Sequence, residues 1–137
     1  MKIQIVESEV LSLNVSRIPL EQQIEEKDKF KFSFTPEFEE SKTKGYYITF
    51  SARIPHRNGM VYETEYRSEF KTNDEITEEF KNSKFMFINS PAIAYPFFRA
   101  FVANMMLVSG HEPMMLPTVN FVQLFERKGN SHEEELE

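Results

Sequence analysis

Side chains able to do chemistry are few in this 137-residue chain. Its three histidines, His56, His111 and His132, lie far apart, and no pair has the spacing of a metal site. The absence of cysteine excludes a disulfide framework, a thiol nucleophile and thiolate metal ligands. The sequence also contains no Gly-rich phosphate loop and no nucleophile elbow. We therefore predict no enzyme activity, no catalytic residue, no metal and no cofactor.

Three glutamates have a spacing that invites comparison with paired general acids: Glu63, Glu65 and Glu69. They alternate with the apolar and aromatic residues of "MVYETEYRSEF" and so share one face of a strand. Carboxylates on a solvated strand face stay ionised. We interpret these glutamates as an exposed charged surface.

The charge of the chain is concentrated at its end. The net charge is −6, and four of these charges are glutamates of the terminal "SHEEELE". No basic stripe suited to nucleic acid is present. We predict one domain over residues 1–128, followed by a flexible acidic tail over 129–137.

Targeting signals are not evident. The N-terminal "MKIQIVESEV" lacks the apolar segment of a signal peptide. The long apolar run near residue 100 is too short to span a bilayer and is interrupted by Arg99, Asn104 and prolines, which predicts no stable membrane insertion. We expect a cytoplasmic protein.

Alternating residues predict a four-stranded antiparallel sheet in an α+β fold. The strands are Ile3 to Val15 with a bend near residues 7–9, "FKFSF", "YYITFSARI" and "MVYETEYRSEF". Asn58 and Gly59 predict a two-residue hairpin turn between the last two strands.

Helices are predicted after the strands. Thr72 and Glu75 form the pattern of a capping box, which predicts a short helix containing Ile76 and Phe80. Pro96 and Gly110 predict the ends of a helix over 96–109, with Tyr95 outside it. A final helix is expected from Thr118 to Lys128, with Val122 and Phe125 facing inward.

The 96–109 helix is apolar on nearly all sides. One stripe contains Phe97, Phe101, Met105 and Val108, and a neighbouring stripe contains Phe98, Val102 and Met106. One sheet covers only one side of such a helix. The other side therefore needs a second copy of the chain or a client to cover it. We assign the first stripe to an interface between copies and expect a homotetramer.

The segment "YPFFRAFVANMMLVSGHEPMMLPTVNFVQLF" resembles the SecB family of protein-export chaperones. The likeness lies in Phe97, Phe98 and Arg99 after Pro96, in Gly110, and in the run Leu116, Pro117, Val119, Asn120 and Phe121. It implies a four-stranded antiparallel sheet with helices on one face, assembled as a dimer of dimers. It also implies ATP-independent holding of unfolded or precursor polypeptides in apolar grooves, often for delivery to the SecA translocase motor.

Groove and motor contacts follow from this resemblance and from the adaptable methionines. The expected client-binding residues are Phe85, Phe87, Tyr95, Phe98, Met106, Met114, Met115 and Phe121. "KFMFI", which supplies the first two, is equally compatible with a fifth strand or with core. Val10 and Asn14 stand where export-type relatives carry acidic residues, so Glu63 is the remaining candidate contact to the motor.

Two alternatives stay open at this point. SecB-like relatives also serve toxin–antitoxin systems, and this divergent chain fits that role. A small α+β protein that binds an acyl chain or another apolar ligand, with or without hydrolase activity, has a similar composition.

Overall fold

The computed structural model of the chain describes residues 1–19, 30–128 and 133–136. Within these residues the chain forms a sheet with helices on one face. The elements, in order, are β1 Ile3–Arg17, β2 Phe30–Glu37, β3 Gly45–Pro55, β4 Met60–Thr72, α1 Glu78–Lys81, α2 Lys84–Val108, α3 Phe121–Lys128 and β5 Glu133–Leu136.

The sheet has the order β1-β4-β3-β2-β5, and every neighbouring pair is antiparallel. The four predicted strands are confirmed as β1 to β4. The fifth strand was not predicted: Glu133–Leu136, from the segment expected to be a flexible tail, pair with Phe30–Ser33. His132 and the rest of that tail lie outside the described residues.

The bends of the sheet follow local sequence. Four residues, 56–59, connect β3 to β4. His56 donates its backbone N–H to the carbonyl of Met60, and Gly59 donates back to the carbonyl of His56, so the turn inside this pair has three residues rather than the predicted two. Gly59 takes φ 87°, the left-handed conformation that closes this type of hairpin. In β1 the register to β4 shifts between Ile5 and Glu7 and again between Val10 and Ser12, so the predicted bend consists of two irregularities.

The core lies between the sheet and the helices. The alternating residues of β2, β3 and β4 supply its sheet side, as predicted, and these residues are Phe30, Phe32, Phe34, Tyr46, Ile48, Phe50, Ala52, Ile54, Tyr62, Tyr66 and Phe70. Ring centroids 5.1 Å apart for Phe32 and Phe50 show that aromatic side chains fill this layer. Eight of the fourteen phenylalanines of the chain are buried in this core: Phe30, Phe32, Phe34, Phe50, Phe70, Phe80, Phe98 and Phe121.

Helix α2 is much longer than the predicted 96–109. It begins at Lys84 and runs through Pro91 and Pro96, so the predicted start at Pro96 and the exclusion of Tyr95 were wrong. Each proline removes one helical hydrogen bond. Tertiary packing outweighs this loss, because the buried side of α2 repeats every four residues: Met86, Ser90, Ala94, Phe98, Val102 and Met106.

The other helix boundaries also differ from the predictions. Helix α1 begins after Thr77, whose hydroxyl accepts the N–H of Phe80, so the capping box predicted at Thr72 was wrong. Thr72 instead ends β4. Helix α3 begins at Phe121 rather than Thr118. It buries Leu124 and leaves Val122 exposed, so the predicted inward position of Val122 was wrong. Phe125 is half-buried and packs against Phe87.

Candidate functional site

Helix α2 divides the candidate client surface from the core. Phe98 lies with its ring centroid 5.3 Å from that of Phe50 and 5.6 Å from that of Tyr66, and it is fully buried. Met106 is fully buried on the same face, two turns further along. These two predicted client-binding residues belong to the core and present no surface to a client.

Two further predicted client-binding residues are also buried. Tyr95 donates its hydroxyl hydrogen to the carbonyl of Pro117 at 2.7 Å, which fixes the loop after α2 to the helix. Phe121 begins α3 and packs edge-on against Phe34, with centroids 5.8 Å apart. The aromatic residues of the family-like motif therefore hold α2 and α3 on the sheet.

The loop between α2 and α3 is where apolar side chains reach the surface. Met115 is 76% exposed and Met114 is half-buried. Leu116 and Val119, which follow Met115 in the same loop, are buried. The loop is thus firmly seated by its neighbours while Met115 projects outward.

Histidines fasten the start of this loop. His56 accepts the N–H of Asn58 at Nδ1, so its Nε2 carries the hydrogen that is donated to the carbonyl of Glu112 at 2.7 Å. His111 bonds through Nδ1 to the hydroxyl of Tyr62. The sequence did not predict that His56 and His111 meet, with ring centroids 5.8 Å apart, because their proximity depends on the β3–β4 hairpin reaching the end of α2. Among the described residues no group of three or more His, Cys, Asp or Glu side chains is placed to hold a metal.

The N-terminal half of α2 contributes a second apolar surface. Phe85 lines a groove of about 550 Å³ together with Asn89, Ala92 and Ile93 and the first residues of the chain. Phe87 is half-buried and packs against Phe125, with centroids 5.8 Å apart. The segment that was compatible with strand or core is therefore helical, and it places Phe85 at the surface.

The outward stripe of α2 is only partly covered. Phe97 is 52% exposed and Val108 is 75% exposed, whereas Met105 is half-buried. Phe101 stacks on Tyr66 at 5.1 Å. Exposed Ile93 and Leu107 extend the stripe beyond the predicted set of four residues.

By length and composition α2 is able to cross a membrane, with 25 residues and a hydropathy of 1.3. The prediction that this apolar run is too short was therefore wrong. The side of α2 that carries every fourth residue from Met86 to Met106 is buried, however. Packing against the sheet explains why that side is apolar.

Glu63 lies on the opposite face of the sheet, in a groove of about 540 Å³. It pairs with Arg53 across β3 and β4, with 3.7 Å between Oε2 and Nε. Asn14 is its direct neighbour on β1. Arg53 therefore offsets the charge of the candidate motor contact, and Asn14 adds none.

Charged side chains elsewhere on this outer face are also paired. The hydrogen bond to Glu69, at 2.6 Å, raises the pKa of Lys42 above its ordinary value. The hydrogen bond to Glu9 raises the pKa of Arg67 in the same way. Both cations also lie over the ring of Tyr47. Two ion pairs thus lie on either side of the Tyr47 contact on this part of the outer face.

A family model described as SecB, preprotein translocase subunit SecB, matches residues 5–132. The chain belongs to the SecB family. Its fold is similar to that of the Mycobacterium tuberculosis Rv1957 SecB-like chaperone, which was solved in complex with a ChAD peptide from the Rv1956 HigA1 antitoxin. That likeness has a TM-score of 0.60 and 16% identity, and it covers 85% of this chain and 90% of the other.

A second solved structure has a similar fold and adds no function. A protein of unknown function from Streptococcus agalactiae aligns with a TM-score of 0.61 and 15% identity, covering 86% of this chain and 98% of the other. None of the curated protein sequences matches the chain. Family membership and the likeness to Rv1957 therefore agree on a SecB-like fold for this chain.

Proposed function

We propose that this SecB-family chain is an ATP-independent holdase that binds unfolded or precursor polypeptides in the cytoplasm. The observation that carries the proposal is the seated loop after α2, which holds Met115 at 76% exposure. Because the buried residues around it hold the loop in place, the Met115 side chain stays exposed to solvent and is available to cover an apolar segment of a client. Met is unbranched and polarizable, so it adapts to many apolar partners.

The proposed client surface consists of the predicted residues that remain accessible. These are Phe85, Phe87, Met114 and Met115. Tyr95, Phe98, Met106 and Phe121 are assigned to the support beneath it.

The direct test is suppression of aggregation. The purified chain, without nucleotide, is added to a chemically denatured client that is diluted from denaturant, and light scattering is followed. We expect scattering to fall in proportion to the added chain, and added ATP to change nothing. Scattering that stays at the level of an added inert protein contradicts the proposal.

The outward stripe of α2 supports a homotetramer as the working form. Leaving Phe97 and Val108 in water forgoes about 25 cal/mol per Å² of apolar surface that a second copy could cover. Light scattering coupled to size exclusion is expected to give about four times the chain mass of 16.2 kDa. A monomer at micromolar concentration contradicts this assembly.

Delivery to a SecA-type motor is proposed to be weak and salt-sensitive. Of the acidic positions considered, only Glu63 carries a carboxylate, and Arg53 lies beside it. Exposed ion pairs each contribute about 0–1 kcal/mol. Titration with a purified motor should show affinity that falls with salt and falls again with Glu63→Lys, whereas Glu79→Lys on α1 should have a smaller effect. Binding that ignores both salt and Glu63→Lys places the contact elsewhere.

The antitoxin peptide bound to Rv1957 favours a second candidate function, service to a toxin–antitoxin system. The uncharged Val10 and Asn14 agree with a chain that does not depend on the motor. Co-expression with toxin–antitoxin genes from its own genomic neighbourhood tests this, because the chaperone should then relieve toxicity.

An enclosed site for a small apolar ligand has less support. The space between sheet and helices is filled by aromatic rings, as the 5.3 Å centroid separation of Phe50 and Phe98 shows. Native mass spectrometry of freshly purified chain should therefore show no stoichiometric small ligand.

A further inference from the structure

The edge of the sheet at β2 is occupied by the chain's own end. Strand β5 pairs antiparallel with the first half of β2, with Phe30 opposite Leu136 and Ser33 opposite Glu133. On its other side β2 pairs with β3 from Lys31 to Glu37. The backbone of β2 is thus bonded to a central strand on one side and to a four-residue strand on the other.

Strand β2 has the properties of an edge that accepts another strand. Phe30, Phe32 and Phe34 are buried on the helix side. Aromatic residues favour strands, and an uncovered strand edge offers unpaired N–H and C=O groups to any extended chain. Pro36 has no N–H to donate, so the accepting stretch ends before it. That stretch coincides closely with the one that β5 covers.

The covering strand is a weak one by composition. Glu133, Glu134 and Glu135 are consecutive, and glutamate is depleted in strands. Three neighbouring carboxylates also repel one another along the chain. A strand of four residues adds few backbone hydrogen bonds. Strand β5 is therefore suited to be displaced.

We infer that the β2 edge binds an extended polypeptide as an added strand, and that β5 is a built-in competitor which the polypeptide displaces. The inference rests on the proposed function and names how the client backbone is held. The partner is an extended segment rich in β-branched or aromatic residues and poor in acidic ones. Its alternate side chains join the apolar layer of Phe30, Phe32 and Phe34. Backbone pairing explains how one edge accepts many sequences.

The test disables β5 within the full chain. The double variant Glu133→Pro/Glu134→Pro is compared with Glu133→Gln/Glu134→Gln, which loses the same charge but keeps both N–H groups. Neighbouring residues of an antiparallel strand point their N–H groups to opposite sides, so one of the two prolines removes a donor to β2. The probe is a fluorescent, uncharged ten-residue peptide of alternating Val and Thr. A second probe carries an N-methyl group on every amide, so that neither edge of the peptide can donate a hydrogen bond.

A competitor that occupies the edge in about nine of ten molecules lowers the apparent affinity about tenfold. We therefore expect the proline variant to bind the unmodified peptide about tenfold more tightly than the glutamine variant. Without peptide, amide hydrogens of residues 30–34 should exchange faster in the proline variant. The N-methylated peptide should bind neither variant.

Equal peptide affinity of the two variants, with aggregation still suppressed, overturns the inference and leaves the holdase function standing. Binding of the N-methylated peptide as tight as that of the unmodified peptide also overturns it, because the contact is then made by side chains. If neither variant binds peptide and the natural chain does not suppress aggregation, the inference and the proposed function both fail.

Discussion

Met115 and Met106 allow the same substitution to be made on the two sides of the proposed division between client surface and core. Met115 is 76% exposed in the loop after α2, and Met106 is fully buried on α2. Replacing each in turn by Ser removes the same apolar side chain and introduces the same hydroxyl. The two variants should fail in opposite ways.

The magnitudes follow from exposure. Full burial of a Met side chain contributes about 1.5–3 kcal/mol. Since Met115 is 76% exposed, only about a quarter of that, roughly 0.4–0.7 kcal/mol, is at stake in folding. A client that covers the remainder gains about 1–2 kcal/mol, which corresponds to roughly five- to thirtyfold in affinity. Met106→Ser loses about 2–5 kcal/mol of stability, because it leaves a cavity in the core.

Urea unfolding and client binding, measured side by side, check this pair. We expect Met115→Ser to unfold within about 0.7 kcal/mol of the natural chain and to bind an unfolded client at least fivefold more weakly. Met106→Ser should unfold at a much lower urea concentration. A Met115→Ser chain that is strongly destabilised, or that binds clients normally, refutes the assignment of this loop to the client surface.

Two further predictions concern α2. Burial raises the pKa of Tyr46 to about 12, against an opposing hydrogen bond from Ser90. The phenol therefore stays neutral to a higher pH in the folded protein than in the unfolded chain, whose pKa is about 10. Its contribution to the free energy of unfolding is complete below pH 10, and about 2–3 kcal/mol of stability is lost as the pH rises from about 10 to 12. The unfolding free energy of Tyr46→Phe should lack this part of the pH dependence. Near neutral pH the substitution should lower stability by about 1–2 kcal/mol, because the buried Ser90 hydroxyl loses its partner, and the double variant Tyr46→Phe/Ser90→Ala should recover part of this loss. Ser83 caps α2 by accepting the N–H of Met86, so Ser83→Ala should lower stability in urea unfolding by about 1 kcal/mol. Ser109→Ala, at the exposed end of α2, is the control and should cost less; equal effects contradict the role of the cap.

Period-two patterns predicted the sheet well, because each strand of the β2–β3–β4 group has one buried face and one wet face. The alternating pattern therefore correctly predicts that residues such as Ile48 and Ile54 lie on the buried face of the sheet. The pairing of β5 could not be predicted in this way. Its glutamates carry no strand pattern, and its place depends on an edge that exists only once β2 has folded.

Helix α2 shows where local rules lose to packing. Proline favours the first turn of a helix, so Pro96 predicted a start that the structure places at Lys84. The missing signal was the four-residue repeat that continues upstream as Met86, Ser90 and Ala94. Ser90 broke the apolar pattern in the sequence, although its hydroxyl is satisfied by Tyr46 at 2.6 Å.

The family-like motif located the fold better than it located the surface. Phe98 and Phe121 are its most distinctive aromatics, and both are buried. A large aromatic ring that fixes a helix to a sheet is set by many neighbours, so its type is recognisable from sequence. Met115 touches few neighbours, and nothing in folding dictates its type. An exposed, adaptable side chain of this kind is what a binding surface for varied clients requires, so the residues that identify the fold and those proposed to hold the client occupy different layers of the same helix–loop unit.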